Sequence, residues 1–265
     1  GYPPGQAVFF GCLLSLSSTA IVMKLLQDQS QIDSPHGRAA LAILIFQDVV
    51  AIPMILVAPL LGGAGGDVGA SLLILLGKGI LTVGAVYVSA RWIIPHLLFR
   101  VTKTRNRELF LLIIIVICLA VAWLTHYVGL SLAFGAFLAG LIISESEYSH
   151  DAIGNILPFR DVFLSFFFVS IGMLMDIDVV LAKPAVIFSL VLGVVILKAT
   201  AASASVLVEG LPLRPALIAG MSLSQIGEFS FVLSLVGVTY GLMGGDLYQV
   251  FLAVSVITMI LTPFI

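Results

Sequence analysis

The sequence predicts an all-α polytopic membrane protein, on three observations: composition, the length of its apolar segments, and the placement of its basic residues. Of 265 residues, 60% are hydrophobic and only 10% charged, and the mean hydropathy is +1.20. Soluble domains carry about 25% charged residues, so this chain lies far outside their range. Nine apolar segments run near 5–27, 38–60, 70–98, 107–125, 130–144, 158–175, 184–208, 213–241 and 246–265. Most have the roughly 20 residues that a spanning helix requires. The 130–144 run is short, and 70–98 and 213–241 are long enough to tilt or break. Gly/Asp turns such as Leu61–Asp67 and Leu242–Asp246 separate them. No stretch is polar enough for a soluble domain, so residues 1–265 read as one transmembrane domain.

Orientation follows from lysine and arginine. With the loop after the first segment assigned to the cytoplasm, Lys24, Arg38, Arg91, Arg100, Lys103, Arg105, Arg107, Arg160 and Arg214 all fall at inner ends. Lys183 alone falls in an outer loop, Lys78 lies in the outer third of a long segment, and Lys198 lies within the membrane. The last residue is then cytoplasmic. Cys12 and Cys118 sit far apart in apolar runs and form neither a disulfide framework nor a metal site. The chain opens Gly-Tyr-Pro-Pro, with no charged leader and no initiating Met. The expectation is a fragment whose N-terminal helices are missing.

The most informative single residue is Asp48. About ten residues lie on either side of it in its segment, which at ~1.5 Å per residue places it near the middle of a bilayer. Ionising a carboxyl there costs several kcal/mol unless it is paired or hydrated, so such a group marks an ion or proton site. Gln47 beside it is a neutral oxygen ligand. An internal similarity frames the pair. The first segment carries Ser15-Leu-Ser17 and the eighth Ser222-Leu-Ser224, both at mid-segment, and under the alternation above the two run in opposite directions. Polar, interruptible segments in matching positions of inverted halves point to a transporter site. The first segment adds Ser18 and Thr19, and the eighth adds Gln225 and Glu228. Lys198, mid-membrane in the helix before the eighth segment, approaches the site from the side opposite Asp48. Glu228 reads either as a charge that offsets half-helix dipoles and lines the pathway, or as a hydrogen-bonded structural acid.

Ser15-Leu-Ser-Ser-Thr-Ala20, Phe46-Gln-Asp48, Ser144-Glu-Ser-Glu-Tyr148, Phe167-Phe-Val-Ser-Ile-Gly-Met173 and Ser224-Gln-Ile-Gly-Glu-Phe-Ser230 together resemble Kef-type members of the monovalent cation:proton antiporter-2 family. The resemblance runs over essentially the whole chain. It implies the sodium/proton antiporter fold, with inverted repeats, two crossed, broken transmembrane helices, and a core domain moving against a dimerisation domain. It implies exchange of potassium for protons, with Asp48 alternately binding cation and proton, Gln47 and the Ser17–Thr19 region lining the site, and Lys198 as the site-pairing basic residue. A homodimer in the bacterial plasma membrane, contacting lipid, is the implied assembly. A C-terminal nucleotide-binding regulatory domain gated by glutathione adducts occurs in many members and is absent from this chain. The coupling loop of such proteins is rich in acids, whereas His150–Pro158 is only weakly so, which counts against glutathione gating.

The chemistry of the residues agrees. Beyond the transported potassium or sodium and protons, no cofactor is called for, and nothing points to nucleic acid. A neutral Gln beside the carboxylate weakens the field of the site, which favours the more cheaply dehydrated potassium. The same fold could exchange sodium instead, and a ligand-gated potassium efflux channel is the further alternative, although no carbonyl-ring filter sequence is present. An enzyme is not expected, because neither Gly-x-Gly-Asp nor His-Glu-x-x-His occurs. The four histidines fall in or near loops, and Gly135–Gly140 and Gly237–Gly241 offer small faces for helix packing.

Overall fold

The computed structural model describes residues 3–63, 68–104, 106–128 and 132–265. Ala64–Asp67 of the first glycine-rich turn, Arg105 of the basic loop and the first residues of the 130–144 segment lie outside the described residues. All regular structure among the described residues is helical. The chain divides into two units, one of residues 1–64 and 171–265, the other of residues 65–170.

The first unit opens with α1 (Pro4–Ser15), which stops where Leu16 turns extended, and resumes as α2 (Thr19–Asp28). The restart has a local cause: the Ser18 hydroxyl accepts the Ile21 N–H at 3.3 Å and caps the new helix. Next comes α3 (Pro35–Leu61), with Pro35 in its first turn and the Ser34 hydroxyl accepting the Gly37 N–H at 3.0 Å. The unit continues from residue 171 with the end of α7 (Ser149–Leu174), then α8 (Ile177–Ala182), α9 (Pro184–Val208), α10 (Leu213–Ser222), α11 (Glu228–Thr239) and α12 (Gly245–Leu261), which closes in a 3-10 turn, Thr262–Phe264. Its core joins Val22 and Leu26 of α2, Ala40 and Leu44 of α3, Val206 of α9, and Ala216, Ala219 and Leu223 around α10. Phe231 of α11 meets Phe251 of α12 edge to face, 6.0 Å between centroids.

The second unit holds α4 (Val68–Thr102), α5 (Arg107–Tyr127), α6 (Leu132–Ser144) and most of α7 (Ser149–Leu174). Asn106 caps α5 by accepting the Leu109 N–H at 3.1 Å. Gly135 of α6 lies so close to Ala122 and Thr125 of α5 that a Cβ would collide with both. Six described helical runs are long and apolar enough to cross a membrane: Pro4–Asp28, Pro35–Leu61, Arg107–Tyr127, Ser149–Leu174, Pro184–Val208 and Gly245–Phe264. Their outward faces are strongly apolar, with Phe166 66% and Phe188 70% exposed. Such surface is a liability in water and the normal condition of a helix in lipid.

The structure refines the segment reading in three places, the second of them a break for which the sequence left room. The segment expected over 158–175 begins at Ser149, and Pro158 sits inside it. The polar run His150–Asn155 hides the helix from an apolar count, while Asp151 in its first turn favours the helix start. The 213–241 segment is two helices, with 223–227 between them. The apolar run of α8, Ile177–Ala182, is too short to read as a span of its own; Asp176 caps it through the Asp178 N–H, and Gln249 of α12 accepts the Asp176 N–H at 2.9 Å. Each small-residue stretch also contributes one close contact rather than a whole face. Gly140 and Gly241 meet nothing where a Cβ would stand, whereas a Cβ on Gly237 would collide with the fully buried Phe9 ring.

The Gly237–Phe9 contact sets how closely α1 and α11 approach. Gly237→Leu should cost about 1–3 kcal/mol by overpacking, read as a lowered Tm of the full-length protein in detergent. Phe9→Ala in the same chain should return part of that loss; equal, additive losses would show that the two residues do not share the contact.

Candidate functional site

The site is built where the two interruptions of the first unit meet. Leu16, Ser17 and Ser18 of the first are 2%, 3% and 0% exposed, and Leu223–Gly227 of the second are equally buried. An interrupted helix frees backbone donors and acceptors that water cannot reach at this depth, so the protein must supply partners. The two interruptions supply them to each other. The Gly227 N–H donates to the Leu16 carbonyl at 2.9 Å, and the Ser17 hydroxyl donates to the Leu223 carbonyl at 2.8 Å. A Cβ on Gly227 would run into the Ser17 carbonyl, so glycine is what permits this approach.

Neighbouring helices complete the set. Gln47 of α3 turns its amide oxygen to accept the Ser17 N–H at 2.8 Å. One residue on, Asp48 accepts the Thr19 hydroxyl, 3.1 Å from Oδ1 and 3.0 Å from Oδ2. Thr19 opens α2, so the Asp48 carboxylate stands at the N-terminal, positive end of a half-helix. Glu228 stands at the same end: its Oε1 accepts the Ala20 N–H at 3.3 Å. From α11 the Ser230 hydroxyl donates to the Leu13 carbonyl at 2.7 Å, and from α12 the Thr258 hydroxyl accepts the Ile226 N–H at 3.3 Å.

Lys198 departs from the expected pairing. Its ammonium donates to the Leu14 carbonyl at 2.7 Å and the Leu16 carbonyl at 2.9 Å. Among the described residues no ion pair joins it to Asp48; the ion pairs present are Lys24–Asp28, Arg38–Asp33 and Arg160–Asp161. The reason is the other half-helix end. Carbonyls at the C-terminus of α1 carry partial negative charge and have lost their helical partners, so a buried ammonium satisfies them directly.

The sequence-derived residues therefore separate into groups. Asp48, Gln47, Ser17 and Thr19 converge on the first interruption, with Ser18 spent on capping α2. Ser222 turns back onto its own helix, its hydroxyl donating to the Ile218 carbonyl at 2.8 Å. Ser224 and Gln225 are 1% and 0% exposed, and their side-chain polar atoms have no hydrogen-bond partner. Ser230 and Thr258 were not anticipated as site residues. Ser230 lies in the same motif as Glu228; Thr258 had no signal beyond being a hydroxyl in an apolar helix.

A cavity of about 1000 Å³ opens onto this region, lined by Ser15, Leu16 and Gln47 at one end and by Asp33, Arg38 and Glu209 at the other. Gln47 lines it and Asp48 does not. Among the described residues no three His, Cys, Asp or Glu side chains converge. What the arrangement offers is the Asp48 carboxylate, a second carboxylate, Glu228, at the same half-helix end, an amide oxygen and hydroxyl oxygens.

Comparison with known proteins agrees in kind. The family model described as "Sodium/hydrogen exchanger, transmembrane" matches residues 1–265. A protein of Alkalimonas amylolytica named for K(+) efflux antiport, KefB, is 37% identical over 98% of the chain and 39% of its own length. The K(+) efflux antiporter 4 of Arabidopsis thaliana is 33% identical over 97% of the chain and 44% of its own length. The K(+) efflux antiporter 6 of the same plant is 34% identical over 98% of the chain and 44% of its own length. These relatives are named as transporters, and the chain spans less than half the length of each. With a match from the first residue to the last and interrupted spans meeting around Asp48, the chain belongs to the transmembrane sodium/hydrogen exchanger family, as a Kef-type membrane domain.

Proposed function

We propose that this chain is the ion-translocating domain of an antiporter that exchanges a monovalent cation, potassium foremost, for protons. Asp48 binds the two in turn: it gives up its proton to bind the cation and takes a proton again once the cation has left. The observation that carries this reading is the hydroxyl of Thr19 on both oxygens of a mid-membrane carboxylate, at the head of a half-helix. The hydroxyl and the helix end stabilise the ionised carboxylate between its two ligands. Gln47, Ser17 and Thr19 complete the cation's oxygen shell, and the cavity that Gln47 lines is the access route on one side. The two interrupted segments act as the crossed pair of an inverted repeat, and alternating access is a movement of the first unit that carries this crossing. Arg38 lines the cavity, and the bias of basic residues toward the cytoplasmic side supports a cytoplasmic mouth; a bacterial plasma membrane is the location we propose. Names of the relatives support potassium over sodium. Their greater length leaves room for a regulatory domain, and a homodimer is the assembly we propose.

In proteoliposomes holding the full-length protein, potassium added against an imposed pH gradient should drive proton movement, and Asp48→Asn should abolish it. Exchange that survives Asp48→Asn removes the central role of this carboxylate. Gln47→Asp strengthens the field at the site and should shift preference toward sodium, measured as the ratio of kcat/KM for the two ions. An unchanged ratio removes the field-strength account of selectivity.

Lys198 is predicted to act on the α1 carbonyls and not on Asp48. Lys198→Met should lower stability by about 1.5–3 kcal/mol for each carbonyl bond lost. Combined with Asp48→Asn, the two losses should add to within about 0.5 kcal/mol. A larger coupling in the double-mutant cycle would restore the ion-pair reading.

A further inference from the structure

Five buried polar atoms without a hydrogen bond gather at the second interruption and on the helix facing it: Ser224 Oγ, both amide atoms of Gln225, Glu228 Oε2 and Ser255 Oγ. Three of these residues are almost wholly enclosed, with Ser224 1% exposed and Gln225 and Ser255 0%. Folded proteins seldom leave a buried polar group unpaired, and a cluster of such groups calls for an occupant. The placement is coherent. Ser224, Gln225 and Glu228 fall within five residues of chain. Ser255 is one turn before Thr258 on α12, and Thr258 accepts the Ile226 N–H, so the polar edge of α12 lies against the interruption. None of the four residues lines the large cavity. Glu228 links this group of residues to the exchange site, because its other oxygen holds the Ala20 N–H next to Thr19.

The chemistry of the atoms selects the occupant. The unpartnered atoms include three neutral oxygens and one carboxylate oxygen, and none of them bonds to another. A single negative charge among neutral oxygens matches one monovalent cation and leaves a divalent ion undercompensated. The Gln225 amide nitrogen is a donor, which a bare cation cannot satisfy but a water of its hydration shell can. We propose that the second interruption forms a second monovalent-cation subsite, separate from Asp48, in which Ser224, Gln225, Glu228 and Ser255 hold one partly hydrated cation. It rests on the exchange role assigned to Asp48, and gives the ion a waiting position beside that carboxylate.

The test uses the full-length protein, with potassium chloride as the probe and choline chloride as the control for ionic strength. Ser255→Ala and Gln225→Leu should each raise the KM for potassium about tenfold, the scale of lost metal-site partners, while leaving kcat within about twofold. The Asp48→Asn protein, inactive in exchange, should keep a potassium-dependent rise in Tm, and adding Ser255→Ala to it should remove that rise. Unchanged KM in folded variants, or loss of the potassium-dependent rise in Asp48→Asn alone, would overturn the subsite and leave a compartment that holds only water. Failure of the Asp48 reading itself appears elsewhere, as exchange that survives Asp48→Asn. Should Gln225→Leu not fold, Ser255→Ala, which removes a single hydroxyl, decides by the same two readouts.

Discussion

The whole first unit is organised by one requirement: backbone groups released by two mid-membrane interruptions must find partners inside the protein. Each unsatisfied peptide group in hydrocarbon costs several kcal/mol, so open chain at this depth survives only when enclosed and bonded. Here the Leu16 carbonyl takes the Gly227 N–H, the Leu223 carbonyl takes the Ser17 hydroxyl, and Gln47 takes the Ser17 N–H. Side chains from α3, α9, α11 and α12 converge because each serves one of these released groups.

Charge is placed by the same logic. The interruption divides one span into two half-helices whose facing ends carry opposite partial charge. Lys198 answers the carbonyl end of α1, and the carboxylates of Asp48 and Glu228 answer the amide end of α2. A buried ammonium and a buried carboxylate thus need not pair with each other, since each has a backbone end of opposite sign. This leaves Asp48 bonded to a single hydroxyl, that of Thr19.

Much of the fold could be read from the chain. Apolar periods of about 20 residues, the glycine turns and the mid-segment Ser-Leu-Ser pair located most helices and both interruptions. Misreadings have physical causes. An apolar count ends where polar residues begin, so it missed the first turns of α7, which sit in the polar run His150–Asn155. A six-residue apolar run, held by one Asp cap and by Gln249 from a distant helix, is too short for a search for spans of about 20 residues, so α8 was missed.

By itself the sequence determined that the chain is a membrane domain, that Asp48 sits near the middle of a long apolar segment, and that polar segments near residues 17 and 224 interrupt their spans. Those follow from composition and spacing, which are local properties. Only the tertiary structure decided the partners: Lys198 on the carbonyls of Leu14 and Leu16, Thr19 on Asp48, Ser230 on Leu13, Thr258 on Ile226, and Gln225 enclosed with none. Each of these bonds except Thr19–Asp48 joins residues more than thirty apart along the chain or is decided by which of several backbone groups lies nearest after packing. Hydrogen-bond energy depends on distance and angle in space, and no spacing along a sequence encodes where two interrupted helices will come to face each other.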